Sequence, residues 1–136
     1  MRIFLDANLL IYLNASMEES RLRYDDFYTE LTSNNRLYTN DLVLDELLYI
    51  SKKKFNVPYP ASLEFIENVV LPFAEILELG FPEYRTSTEI IMKTHLKPSD
   101  ALHIASMRLN NISTIASEDR ELDNAENINR IWIPIN

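Results

Sequence analysis

Glycine is nearly absent from this chain of 136 residues, since Gly80 is the only one. Loops that cradle phosphates, and turns that bind dinucleotides, need two or three glycines at fixed spacing so that the backbone can approach the phosphate. Both kinds of motif are therefore excluded. Cysteine is absent altogether, which excludes disulfides, thiolate metal sites and a cysteine nucleophile. A chain without cysteine is typical of the reducing cytoplasm, and we expect a cytoplasmic protein.

Long apolar runs and basic residues are also scarce. No apolar stretch approaches the ~20 residues that a membrane span needs, and the opening MRIFLDANLL is too short and too interrupted for a signal peptide. With 13 basic and 21 acidic residues the net charge is −8, and such a surface on average repels nucleic acids. Chemistry on RNA would therefore require that acids are concentrated in one place and neutralised by a metal.

The length is that of one domain, residues 1–136, and neither a repeat nor a linker divides it. Short apolar runs predict strands at 2–5, 37–39, 74–79, 112–116 and 130–133. Amphipathic stretches predict helices at 8–14, 18–33, about 41–54, 59–71 and 82–94, and one that ends at 109 and is capped by Ser99. This alternation predicts a central parallel sheet with helices on both faces, a three-layer α/β/α sandwich.

Two aspartates follow predicted strands. Asp6 ends the first strand, and Asp119 lies just beyond strand 112–116, with Ser117 placed to hydrogen-bond back to the loop. Ligands of open parallel sheets bind beyond the carboxyl ends of the strands, which favours a functional role. Asp6 fits a helix N-cap equally well. Alternatives to Asp119 remain among its neighbours Glu118, Glu121 and Asp123.

Two further acids lie in predicted helices. Glu46 falls among leucine, valine and isoleucine side chains on a helical wheel, where a carboxylate is unfavourable unless it is paired, protonated or bound to a metal. We interpret it as functional rather than as a partly exposed residue at a helix edge. Asp100 lies in a first helical turn, where acids also occur because of the helix dipole. His103, one turn further on, is placed to contact a substrate, although a lone histidine is more commonly structural.

These acids together predict a metal site. If the strands that precede Asp6 and Asp119 are neighbours, the carboxylates converge and cannot all stay ionised without a cation. Hard divalent ions prefer oxygen ligands, so Mg²⁺ or Mn²⁺ is expected. Such ions lower the pKa of bound water and neutralise phosphate charge during in-line displacement. The proposed ligands and catalytic residues are Asp6, Glu46, Asp100 and Asp119.

Four segments resemble, in order, the motifs of PIN domains, and of VapC-type toxins in particular. FLDANLLIY contains Asp6 and Asn8, VLDELLY contains Glu46, KPSDALHIA contains Asp100, and IASEDREL contains Ser117 and Asp119. The resemblance implies an α/β/α sandwich, Mg²⁺- or Mn²⁺-dependent endoribonuclease activity on RNA, and a toxin held in check by an antitoxin protein. It also implies a homodimer. We expect supporting roles for Asn8, Ser117 and Asp123.

Some features depart from this pattern or are ambiguous. Leu122 stands where the family usually has an aromatic residue, and the only basic tract is Lys52, Lys53 and Lys54, which also fits the charge cluster of a helix C-terminus. Helix 18–33 carries aromatic residues that favour a dimer interface if one small core cannot cover them all. The alternative is that all of them pack inward. These side chains are Leu22, Tyr24, Phe27, Tyr28 and Leu31.

Three other functions are alternatives to the nuclease. A phospho-acceptor receiver domain needs an aspartate at the end of its central strand and a late lysine, whereas strand 74–79, interpreted as central, ends in Leu79 and Gly80, and INRIWIPIN has no lysine. A phosphatase with an aspartate nucleophile needs an acid where Asn8 stands. A non-catalytic PIN-like protein that binds partners remains the main alternative, although it has no need of four acids.

Overall fold

A computed structural model describes residues 1–134, and within them five strands form one parallel sheet in the order β3-β2-β1-β4-β5. The central strand β1 carries Ile3, Phe4 and Leu5, which are almost completely buried. A central parallel strand is covered on both faces, which explains its continuous apolar sequence. The strands are β1 (Arg2–Leu5), β2 (Arg36–Asn40), β3 (Ala74–Leu77), β4 (Thr114–Ala116) and β5 (Asn129–Ile131).

Helices cover both faces of this sheet. The described residues form α1 (Ala7–Ala15), α2 (Glu18–Asn34), α3 (Asp41–Phe55), α4 (Tyr59–Phe65), α5 (Phe81–Thr94) and α6 (Pro98–Leu109). A π-helical turn, Ile66–Val70, extends α4, and a 3₁₀ helix, Arg120–Asn124, follows β4. Helix α1 packs against α2 and α3, whereas α5 packs against α6. Since crossovers between parallel strands are right-handed, α1 to α4 lie on one face and α5 and α6 on the other. The predicted three-layer α/β/α sandwich is confirmed.

The interpretation of strand 74–79 as central was wrong. Strand β3 ends at Leu77 and lies at the edge of the sheet, where it pairs with β2 alone. Its Glu75 is exposed, as expected where one side of a strand has no neighbour. Because β1 is central, the aspartate that follows the central strand is Asp6. The strand-order argument against a receiver domain therefore fails, and the missing late lysine still counts against it.

The predicted cap of the last long helix was also wrong. Ser99 lies inside α6, which begins at Pro98 with Lys97 as its N-cap. Proline suits the first helical position because its fixed φ is already helical and its missing N–H would have no partner there. The remaining differences are at element ends. Strand 112–116 begins at Thr114, and strand 130–133 is shifted to Asn129–Ile131.

Left-handed backbone positions are filled without glycine. Asn56 and His95, which end α3 and α5, have φ values of 58° and 60°, and Asn111 and Asn127 adopt the same conformation. Asparagine tolerates this region better than most residues. His95 thereby has a structural role as a helix C-cap. No helix within residues 1–134 is both long enough and apolar enough to cross a membrane.

Candidate active site

The two strands at the middle of the sheet bring separate parts of the chain together. Leu5 of β1 lies opposite Ala116 of β4, so Asp6 and Ser117 emerge side by side at the carboxyl edge. The chain then leads from β1 to β2 on one side and from β4 to β5 on the other. Where connections diverge in this way, a crevice opens above the strands, and this is where open α/β sheets bind ligands.

The carboxylate of Asp6 is fixed at both oxygens. The Ala7 N–H donates to Oδ1 at 2.8 Å, and the Ser117 hydroxyl donates to Oδ2 at 2.6 Å. Asp6 is also the N-cap of α1, so the two interpretations of this residue are compatible. It is 5% exposed, and its orientation is set by hydrogen bonds rather than by solvent.

Ser117 and Asn8 hold the loop that carries Asp119. The Asp119 N–H and the Asn8 amide both donate to Ser117 Oγ, at 3.1 Å and 3.3 Å. Asn8 Oδ1 accepts from the Glu118 N–H at 3.3 Å. Because Ser117 also donates to Asp6, the hydroxyl joins the ends of β1 and β4 to this loop.

Asp100 is a buried acid with an unsatisfied oxygen. It is 6% exposed, and its Oδ2 has no hydrogen-bond partner within residues 1–134. Burial raises its pKa to about 7, and the negative charges of Asp6 and Asp119 act in the same direction. Lys97 lowers the pKa and Glu46 raises it, with smaller effects. A buried carboxylate in this setting requires either a proton or a cation.

Glu46 reaches the site from α3, although the argument that selected it was wrong. The helix buries only the row Val43, Leu47 and Ser51, so Glu46 is exposed rather than enclosed by apolar side chains. One of its oxygens nevertheless lies within 4.8 Å of donor atoms of Asp6 and His103. Desolvation, followed by the charge of Asp6, raises the pKa of Glu46.

Asp119 lies beside Asp100 and Glu121, with one oxygen of each within 4.8 Å of the others. Asp119 also caps the 3₁₀ helix by accepting from the Glu121 N–H at 2.9 Å. Asp123 does not join this group. It is exposed and pairs with Arg130 at 3.0 Å, and the Arg130 hydrogen bond lowers the pKa of Asp123. Its contribution is therefore to hold Arg130.

His103 and Asn40 complete the site. The sequence had indicated His103 only through its position one helical turn after Asp100. Asn40 Oδ1 caps α3 by accepting from the Val43 N–H at 3.0 Å, so Nδ2 is the atom that faces His103 Nδ1 at 3.2 Å. The Nδ1 atom must accept, and the neutral ring carries its proton on Nε2. Burial lowers the pKa of His103, while Asp6 raises it. The sequence signal is a histidine three residues after Asp100 on one helix.

The structure thus brings the four predicted acids to one edge of the sheet, in two adjacent groups that together form the acid cluster. Asp6 and Glu46 lie with His103, and Asp100 and Asp119 lie with Glu121, while the charge of Asp6 acts on Asp100. Their donor set is almost entirely carboxylate oxygen, which suits a hard divalent cation better than zinc or copper. The partnerless oxygen of Asp100 fits the same interpretation, because a cation would satisfy it. Sequence reasoning had left Glu121 as an alternative and His103 as structural, yet each lies within one of these two groups.

Comparisons with known proteins agree with this geometry. A family model described as PIN domain matches residues 3–128, and no curated protein matches the chain. Among solved structures, VapBC2 from Rickettsia felis, bound to a promoter DNA fragment, is 18% identical with a TM-score of 0.75 and covers 97% of this chain and 98% of its own. The toxin VapC20 from Mycobacterium tuberculosis, described as Sarcin-Ricin loop cleaving, is 14% identical with a TM-score of 0.75 and coverages of 91% and 95%.

A third solved structure, DNA-bound VapBC from Salmonella typhimurium, is 16% identical with a TM-score of 0.74 and covers 98% of this chain and 99% of its own. At these identities the likeness establishes a shared fold. The family model covers nearly the whole chain, and the resemblance seen in four sequence segments is confirmed. The chain belongs to the PIN domain family.

Proposed function

We propose that this protein is an Mg²⁺- or Mn²⁺-dependent endoribonuclease and the toxin of a toxin–antitoxin pair. The observation that carries the proposal is that two adjacent acid groups, one with Asp6 and Glu46 and one with Asp100 and Asp119, lie where the connections after β1 and β4 diverge. A buried oxygen of Asp100 is left without a partner in the described part of the chain. Membership of the PIN domain family and the fold shared with a toxin described as cleaving the Sarcin-Ricin loop support RNA as the substrate.

The four acids would hold the cation, and we assign this role to Asp6, Glu46, Asp100 and Asp119. When bound, Mg²⁺ or Mn²⁺ supplies a water of lowered pKa and neutralises phosphate charge. The two hydrogen bonds to Asp6 fix the direction of its carboxylate before any ligand arrives. Asn8 and Ser117 hold the loop that carries Asp119 and thereby fix the position of its carboxylate. Preorganisation of this kind avoids the cost of ordering the ligands on binding.

Two further groups act beside the four acids. Lys97 is exposed and is the positive charge that acts on both Asp100 and Glu46, so we assign it to the scissile phosphate. His103 presents a neutral N–H, because Asn40 occupies its other nitrogen. Since it is 1% exposed and lies beside Asp6 and Glu46, we assign it to orienting these carboxylates without adding positive charge to the cluster.

The test is cleavage of a mixed RNA pool with analysis of the product ends. We expect cleavage with Mg²⁺ or Mn²⁺, loss of cleavage in EDTA, and recovery when the ion is returned. Products should carry 5′-phosphate and 3′-hydroxyl ends, because water rather than the ribose 2′-hydroxyl is the nucleophile. Cyclic 2′,3′-phosphate ends, or undiminished cleavage in EDTA, would refute the proposal. A protein that only binds partners would cleave nothing under either condition.

The partners form a second part of the proposal. The fold shared with VapBC complexes supports an antitoxin as binding partner, and the homodimer stays a prediction from the family resemblance. The argument for a dimer from the aromatic residues of α2 was wrong, since Tyr24, Tyr28 and Leu31 are buried in the core. Phe27 packs edge-on against Trp132 at 5.7 Å. Of the five side chains, Leu22 is the one that lies largely exposed, at 62%.

A further inference from the structure

A groove of about 680 Å³ lies next to the acid cluster, above the carboxyl ends of β4 and β5. Its walls combine guanidinium groups with aromatic rings. A volume of this size is typical of sites that bind small ligands or parts of larger ones. The residues that matter here are Arg23, Arg120, Arg130, Tyr12, Tyr24 and Trp132.

The aromatic wall is continuous across three elements. The rings of Tyr12 in α1 and Tyr24 in α2 stack with centroids 4.6 Å apart. Trp132, just after β5, is inclined to both rings at 6.4 Å and 6.3 Å, and Phe27 supports it from behind. Trp132 remains partly exposed. A partly exposed ring that is held in place by three others is suited to stack on a planar group such as a nucleobase.

The groove is locally positive in a chain of net charge −8. Three arginines line it together with a single acid, Glu118, which accepts a hydrogen bond from the Tyr12 hydroxyl at 3.2 Å. Because Arg130 is paired with Asp123 at 3.0 Å, the excess positive charge comes from Arg23 and Arg120. The guanidinium of Arg23 lies over the Tyr24 ring at 4.9 Å, and Arg120 is exposed. Guanidinium groups beside aromatic rings match the alternation of phosphates and bases along a nucleic-acid strand.

The groove is joined to the acid cluster by covalent and hydrogen-bonded links. Arg130 donates to the Ser117 carbonyl at 3.0 Å, and Ser117 holds Asp6 through its hydroxyl. Glu118 and Arg120 flank Asp119 in the chain. A strand that occupies the groove would therefore continue directly onto the acids.

We propose that this groove is a subsite for single-stranded RNA, in which a base stacks on Trp132 and the neighbouring phosphates bind Arg23 and Arg120. The inference rests on the proposed function and names the residues of this chain that would bind the RNA beside the acid cluster. Bases in a duplex are stacked on one another and cannot reach a side-chain platform, whereas those of loops and single strands can. The site would therefore select unpaired RNA at the positions next to the cleaved bond.

Trp132 is the only tryptophan of the chain, so its fluorescence reports directly on the groove. The experiment titrates the 136-residue chain with a single-stranded RNA oligonucleotide in EDTA, where the proposed hydrolysis cannot proceed. We expect saturable quenching of Trp132 emission and little quenching by a duplex of the same sequence. Arg23→Ala and Arg120→Ala should each weaken binding about three- to tenfold and should reduce the salt dependence by about one phosphate contact.

Arg85→Ala is the matched control for Arg23→Ala. Arg85 lies on α5, and its guanidinium sits over the Phe81 ring at 4.9 Å, so both substitutions remove the same kind of contact from an exposed helical arginine. Binding should be unchanged in this control. Trp132→Ala risks unfolding because Trp132 packs on three rings. Trp132→Phe, followed by anisotropy of labelled RNA, is the second variant and should bind more weakly while keeping its circular dichroism.

The outcomes separate this inference from the proposed function. Metal-dependent RNA cleavage without quenching of Trp132, or equal quenching in Arg23→Ala and wild type, would overturn the subsite and leave the nuclease standing. Quenching by an acidic peptide but not by RNA would assign the groove to a protein partner and would likewise overturn it. Quenching by single-stranded RNA without any cleavage would support the subsite and count against the nuclease.

Discussion

At the scale of single residues, the site combines carboxylates that repel one another with hydrogen bonds that orient them. Asp6 is held by two donors, whereas Asp100 is buried with an oxygen that has no partner within residues 1–134. The metal-free protein therefore keeps one carboxyl group in an unfavourable setting. Stability is lowered at the place where the cation would bind, as is common in functional sites.

This imbalance predicts how the stability of the metal-free protein depends on pH. The folded-state pKa of Asp100 is about 7, above its ordinary value of 3.8, so the folded state holds the proton more tightly than the unfolded chain. Stability is then lost as the pH rises from about 4 to 7, by roughly 2–4 kcal/mol for a shift of this size. Urea unfolding in EDTA should give a lower free energy of unfolding for the wild-type protein at pH 8 than at pH 5.

Asp100→Asn should remove most of that difference, because the amide has no charge to desolvate. Asp26→Asn is the control, since Asp26 is an exposed aspartate of α2 outside the cluster; it should behave as wild type. Equal pH dependence in Asp100→Asn and wild type would show that the pKa of Asp100 is not raised in the folded protein.

At the scale of elements, the start of α3 sets both the position of Glu46 and the tautomer of His103. Asn40 uses its oxygen for the helix cap and its amide nitrogen for the histidine. One side chain thus couples helix geometry to the protonation of a buried ring. Its two functions are separable by substitution, because asparagine, aspartate and alanine differ in capping and in charge.

Asn40→Asp should keep the cap, since aspartate is an equally good N-cap, but should place a carboxylate oxygen against His103 Nδ1. The pKa of His103 should rise, and its proton should move to Nδ1. Asn40→Ala should cost about 1 kcal/mol of unfolding free energy through the lost cap. NMR titration of the ring nitrogens and urea unfolding measure the two effects, with His95 as the internal reference. An unchanged His103 pKa in Asn40→Asp would contradict the assigned tautomer.

The order of the elements and the positions of the acids could be predicted from the sequence better than which strands lie side by side and which residues cover a given side chain. Strand β1 was evident because its three buried apolar residues form an uninterrupted run, and Asp6 because an acid directly follows that run. The edge position of β3 was missed since an apolar run does not say which strands lie beside it. The burial of Tyr24 and Tyr28 was missed for a related reason. The sequence pattern of an aromatic residue on a helix is the same whether its ring is covered by its own chain or by a second protomer. In this protein the Tyr28 hydroxyl donates to the Val69 carbonyl of the same chain at 2.7 Å.

At the scale of the whole molecule, opposite charges are separated along one edge of the sheet. The acid cluster lies beyond the ends of β1 and β4, and the arginines line the neighbouring groove. A net charge of −8 is therefore compatible with RNA binding, because the local field rather than the total meets the substrate. A cation in the acid cluster would extend the positive region across the site.

The same arrangement predicts that divalent ions stabilise the whole domain. A ligand that binds only the folded state raises stability by about 2.7 kcal/mol at 100 times its dissociation constant. Mg²⁺ or Mn²⁺ should raise the melting temperature of wild type and of Asp26→Asn, and should have little effect on Asp6→Asn. Thermal unfolding in millimolar ion and in EDTA provides the measurement. An equal rise in all three proteins would indicate binding elsewhere on the acidic surface.

Whether the four carboxylates form a metal-dependent ribonuclease site is decided by the rate at which Asp6→Asn cleaves RNA in Mg²⁺. Asparagine keeps the shape of Asp6 and can still cap α1, while the charge at the centre of the cluster is lost. The account predicts a rate lower by about a hundredfold or more, with unchanged circular dichroism and with Asp26→Asn as active as wild type. A folded Asp6→Asn that cleaves RNA at the wild-type rate would contradict it.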